Sequence, residues 1–255
     1  MLTFVIIELL AMFAWLGLGL VARLFPTWLA VPWTLAVVAS YLMRRYTTAQ
    51  ADERARWDVR RMNKWWASVA CTAMGLACVP LALILVFGIQ ATPEDHANLK
   101  ETFVVSGHQF IVAVLLAPLV EERAFRGRIQ PALCERWHPA IAVAVTAMGF
   151  AALHIDVTGL PTLAIFGVLA GTAAFMSGSL WPSIVLHATH NATIFALKAL
   201  VLVDGLPRAS ANTRAWGALL CAIGVALFWG AWRLRPRAFA LIPDREQSGV
   251  VDGAT

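Results

Sequence analysis

Long apolar runs broken by short polar segments fill almost the whole chain. A helix that spans a bilayer needs about 20 mostly apolar residues, and such runs lie near 2–23, 26–43, 65–89, 109–131, 139–154, 160–178, 181–203 and 214–233. The pattern predicts an all-α, polytopic integral membrane bundle of about eight transmembrane helices. It leaves no room for a separate soluble domain, so 1–233 reads as one transmembrane unit and 234–255 as a polar cytoplasmic tail. The first run, "MLTFVIIELL", lacks the basic start and small-residue cleavage site of a signal peptide and is expected to be retained. Glu8 falls inside it, either facing the bundle or lying near the surface.

Composition agrees with this class. Sixty per cent of residues are hydrophobic and 14% charged, with a mean hydropathy of +0.71, too little polar surface for a soluble chain of 255 residues. The net charge of +5 would suit nucleic acid, but the placement of the cations excludes that reading. Seven Lys/Arg lie between Arg44 and Lys64, with Arg123, Arg126, Arg128 and Arg136 about the end of the fourth run and Arg233, Arg235, Arg237 and Arg245 after the last. All fifteen fall on one side of an eight-span layout, against Arg23, Lys100, Lys198, Arg208 and Arg214 on or near the other. The positive-inside rule then places both termini in the cytoplasm, in a bacterial inner membrane, with the basic residues as topology signals and headgroup contacts. The segment 44–64 reads as an interfacial helix or loop with a tryptophan belt. Cys71, Cys78, Cys134 and Cys221 lack paired spacing and read as structural thiols. His96 and His108 read as solvated loop residues.

Three polar clusters interrupt the apolar runs of the second half. An ionisable group at the centre of a span costs about 2.5–3.5 kcal/mol on the insertion scale, so each such group raises a functional question. In "PLVEERAFRG", Glu121 and Glu122 are adjacent and point about 100° apart on a helix. Glu122 and Arg126 are four apart in the favourable order for an ion pair, which leaves Glu121 without a local partner as a candidate general base. A solvated helix end at the cytoplasmic surface accounts for the same residues taken alone. In "GFAALHID", His154 ends the run from Pro139, with Phe150 one turn earlier on its face. That run is about 24 Å long as a helix, short of the roughly 30 Å of hydrocarbon. A core or interfacial histidine is the plain alternative. In "HATHNAT", His187, His190 and Asn191 share broadly one face, with Pro182 suited to the first turn. They could donate to an oxyanion or serve as interhelical hydrogen bonds.

Together "EERAFR", "FAALH" and "HATHN" fit Glu-Glu-x-x-x-Arg, Phe-x-x-x-His and His-x-x-x-Asn on successive spans. This set resembles the CAAX protease and bacteriocin-processing (Abi) family of intramembrane glutamic endopeptidases over about residues 115–195. The resemblance implies a catalytic core at about 109–203 in which Glu121, helped by His154, activates water. His187 and Asn191 would stabilise the oxyanion, and Glu122, Arg126 and Phe150 would shape the site. No cofactor is implied; the substrate would be a membrane-associated or prenylated peptide or protein. A zinc site on Glu121, His154 and His187 is the metal-dependent alternative, although no His-Glu-x-x-His helix exists. Ser177, Ser179 and Ser183 lack a flanking base motif and read as packing residues. A non-catalytic scaffold or immunity protein and a proton-coupled transporter are the other classes, the latter disfavoured by the absence of an obvious inverted repeat. One tension arises from the layout: Glu121 and His187 fall in the cytoplasmic half, whereas His154 falls nearer the other face unless its helix is short, tilted or displaced.

The cation asymmetry makes a topological prediction. Single cysteines placed in 44–64 and in 90–108 should label from opposite sides of the membrane in intact cells. Labelling of both from outside overturns the topology.

Overall fold

The computed structural model describes residues 2–20, 34, 36–40, 56–87, 110–154, 160–202 and 210–235. These residues are helical or lie in short turns, and no strand occurs among them. Helix α1 is Leu2–Leu20, and a 3₁₀ turn at Val59–Met62 leads into α2, Trp66–Phe87. Helix α3 is composite. A π-helix at Ile111–Leu116 runs into an α-helix at Ala117–Ala124, then a π-helix at Phe125–Ile129 and an α-helix at Gln130–Cys134. Then follow α4, Pro139–Leu153, α5, Leu160–Ser177, α6, Trp181–Leu202, and α7, Ala211–Leu234. The second apolar run lies largely outside the described residues, as do His96, His108 and the tail beyond 235.

By length and hydropathy one described helix, Ala211–Leu234, is able to cross a membrane unaided; Ile6–Trp15, Trp66–Val79, Pro139–Leu153 and Thr162–Ser177 are shorter apolar stretches. Polar and charged side chains lie within an apolar core that includes Val120, Phe150, Phe166 and Leu186. Buried positions include Glu8, Glu122, Arg123, Arg126, Gln130, His187 and His190, while Ile141, Val145 and Met148 form an exposed stripe on α4. Trp216, Leu219 and Ile223 do the same on α7.

Small residues set the helix separations. At Gly167 on α5 an added Cβ would stand 2.9 Å from the Cα of Ala147 on α4, so these helices touch through backbone. Helix α7 lies along α2, where a Cβ at Gly217 would stand 2.8 Å from the Val86 nitrogen. Ser68 on α2 donates to the Ala231 carbonyl on α7 at 2.9 Å. Helix α1 packs on α3, and here the position of Glu8 is decided. Its side chain is buried, with Oε1 3.2 Å from Arg128 Nε and Oε2 3.8 Å from Arg123 Nη1.

The structure thus corrects the reading of the arginines about the fourth run as surface signals. Arg123 and Arg126 are buried, and only Arg128 of the three keeps partial exposure. The basic segment is likewise more than a headgroup contact. Arg56 Nη1 donates to the Gly127 carbonyl at 2.7 Å, Arg61 Nη1 to that of Gly178 at 3.3 Å, and the Leu180 N–H to that of Arg56 at 2.9 Å. Trp181 Nε1 donates to the Trp57 carbonyl at 2.8 Å. The turn before α2 is therefore tied to the ends of α3 and α5 and the start of α6.

Removing one partner of a buried ion pair costs about 3–5 kcal/mol, because the other charge stays buried. Glu8→Ala is therefore expected to lower the thermal unfolding temperature in detergent, with Glu8→Asp intermediate. An unchanged transition for Glu8→Ala shows that the α1–α3 pair contributes nothing.

Candidate active site

The site is assembled where α3, α4, α5 and α6 meet. Its centre is Glu122 on the α-helical turn of α3, completely buried. One oxygen, Oε1, accepts from Arg126 Nη1 at 3.1 Å and from His187 Nδ1 at 2.8 Å. The first contact is the local i, i+4 pair that the sequence indicates. The second joins residues 65 apart, and no spacing rule could have found it. Arg126 extends further: Nη2 donates to the Gly167 carbonyl on α5 at 3.2 Å, and its guanidinium lies 4.6 Å from the Phe150 ring centre on α4. Arg126 thus links three helices.

Glu121, turned away from its neighbour by the helical step, meets the other nitrogen of the same histidine. His187 Nε2 lies 3.8 Å from Glu121 Oε2. The two carboxylates differ in access: the Glu121 side chain is 16% exposed, whereas that of Glu122 is 0%. The Glu121 Oε2 atom is itself buried and has no hydrogen-bond partner, so the exposure belongs to the rest of the side chain.

Aromatic rings frame the polar groups. Phe150 sits edge-on to His187 with centres 5.5 Å apart, and Phe166 lies 5.0 Å from His187. His190 stacks on Phe166 at 4.9 Å with planes 14° apart, and its buried Nδ1 has no hydrogen-bond partner. Phe150 also carries His154, whose ring centre is 4.6 Å away. Helix α4 has 15 residues, about 22 Å, and His154 caps its end. Phe150, one turn before His154, touches His187 directly. His154 Nδ1 is 2.9 Å from the Phe150 carbonyl. A carbonyl only accepts, so Nδ1 carries the hydrogen, and in the neutral ring Nε2 keeps its lone pair.

Asn191 is brought to α3 rather than left free. Its Nδ2 donates to the Ala113 carbonyl at 2.7 Å, leaving one N–H of the carboxamide. Glu121, Glu122, Arg126, Phe150 and His187 are therefore gathered directly, His154 through Phe150, and Asn191 through the first turn of α3. Sequence reasoning missed Gln130, buried one turn beyond Arg126. It repeats the α3–α5 contact by donating to the Gly171 carbonyl at 2.9 Å, and its spacing from Arg126 was the available signal. Ser177 and Ser183 donate to the carbonyls of Ala173 at 2.7 Å and Leu180 at 2.9 Å, as packing residues do. Among the described residues no three His, Cys, Asp or Glu side chains are gathered to hold a metal ion.

Residues 104–193 match the family model described as type II CAAX prenyl endopeptidase Rce1-like. The matched segment contains all three motifs. No curated protein matches the chain, and no solved structure does.

The network yields a prediction for Arg126. Arg126→Ala strands a buried carboxylate and the Gly167 carbonyl, so folded yield and thermal stability should fall together with activity, by about 3–5 kcal/mol. Arg126→Lys should recover little, since a lysine cannot bridge Glu122 and Gly167 through a planar fork. A fully stable, inactive Arg126→Ala assigns the residue a direct part in the chemistry instead.

Proposed function

We propose that the CAAX protease segment at 104–193 hydrolyses a peptide bond of a membrane-associated or prenylated substrate by a glutamate–water mechanism. The observation that carries this reading is the division of labour between adjacent carboxylates: Glu122 is held by Arg126 and His187, and Glu121, partly exposed, keeps an oxygen without a hydrogen-bond partner beside His187 Nε2. Glu121 takes a proton from water as the oxygen attacks the scissile carbonyl. His154, with a lone pair on Nε2, helps to hold that water. The oxyanion is met by the remaining N–H of Asn191. His187 Nε2 can donate to it only when both ring nitrogens are protonated, because Nδ1 already donates to Glu122. Stabilising charge that develops only in the transition state is the main source of such catalysis. The proton then passes to the departing amine, and Glu121 is restored.

The chain around this core is read as an eight-span bundle in a bacterial inner membrane, with both termini cytoplasmic, the core at about 109–203 and a polar tail at 234–255. The exposed apolar stripes of α4 and α7, over a buried polar interior, support a lipid surround. No metal takes part in this scheme.

Glu121→Gln keeps shape and hydrogen-bonding reach but cannot accept the proton of water. It should fold and be inactive against a membrane-anchored fluorogenic peptide. Glu121→Asp, with a shorter reach, should retain a small residue of activity. Wild-type activity should fall on acidification, because only the ionised carboxylate acts as base. Chelators should leave the wild type active. Wild-type turnover in Glu121→Gln would falsify the base assignment, and chelator-sensitive activity restored by zinc would replace it with a metal mechanism. Peptide binding without cleavage by the wild type would indicate the scaffold class.

A further inference from the structure

Helix α3 leaves regular α-helical bonding twice, each time just before a proline. The Ala117 N–H bonds the Val112 carbonyl, five residues back, and the Gln130 N–H bonds that of Phe125, also five back. The next residues, Pro118 and Pro131, have no N–H. In the wide-turn register Pro118 would have served the Ala113 carbonyl, and in the α register Pro131 would have served that of Gly127. A buried carbonyl without a donor is costly. Both are supplied from elsewhere in the chain: Ala113 by Asn191 at 2.7 Å and Gly127 by Arg56 at 2.7 Å. Two prolines, two wide turns and two long-range side-chain caps bracket the turn that carries Glu121 and Glu122.

The first of these caps has a chemical consequence. The Asn191 carboxamide is planar, with two N–H groups on one nitrogen. Once one is anchored on Ala113, the plane of the group and the direction of the other N–H are set. We propose that Pro118 is a positioning residue for the reaction. By denying Ala113 a backbone donor it reserves that carbonyl for Asn191, and the anchored carboxamide holds its second N–H in place for the oxyanion. This rests on the protease reading given above. A residue with an N–H at 118 competes for the Ala113 carbonyl and frees the carboxamide to rotate.

The test is a double-mutant cycle of Pro118→Ala and Asn191→Ala, with kcat and KM measured against the membrane-anchored peptide. Pro118→Ala should lose about 10- to 100-fold in kcat, the range in which misplacement of a catalytic group falls, with KM unchanged. The double variant should be no slower than Asn191→Ala alone, because both changes remove the same oriented donor. A wild-type kcat in Pro118→Ala, or losses that multiply in the double variant, overturns the proposal. Hydrogen exchange provides an arm free of activity. Asn191→Ala and Asn191→Asp, neither able to donate from that position, should raise amide exchange over 112–119 in detergent. Unchanged exchange in a folded variant overturns the anchor even where Pro118→Ala does not fold. An inactive wild type overturns the protease reading and leaves the exchange result to decide the anchor.

Discussion

The Oε1 atom of Glu122 is the point on which the site depends. It receives Arg126 from its own helix and His187 from α6, and it does so out of reach of solvent. A buried carboxylate is tolerated only when its countercharge and hydrogen bonds are held in good geometry. The same arginine ends on the Gly167 carbonyl of α5. Three helices are therefore fixed relative to one another by a single charged group. The adjacent Glu121 stands in that fixed frame, partly exposed and with one buried oxygen free of hydrogen bonds.

The frame is completed by close contact and by rings. The absence of a side chain at Gly167 lets α5 meet the backbone of α4 at Ala147, which brings the Gly167 carbonyl within reach of Arg126. The Phe150 and Phe166 rings, 5.8 Å apart, fill the space between the charges and the helix walls. Their edges and faces turn towards His154, His187 and His190.

Two segments without any recognisable motif reach the same helix from outside. Glu8 of α1 faces Arg123 and Arg128, and Arg56 caps the wide turn between Arg126 and Arg128. Cations that a count of charges alone would assign to the surface thus join helix to helix.

The sequence by itself determined the helical class of the described residues, the approximate bounds of their helices and the Glu122–Arg126 pair. Each of these follows from a periodicity or a four-residue spacing, which is local information. Only the tertiary structure decided that His187 turns one nitrogen to each glutamate, that Asn191 is anchored on Ala113, and that Glu8 faces α3. It also decided that α4 ends where Phe150 can carry His154 to the site. These contacts join residues as far apart in sequence as Glu8 and Arg128, and they depend on how closely the helices approach and how each is rotated about its axis. Helical periodicity gives the face on which a residue lies, but the partner of that face is set by packing.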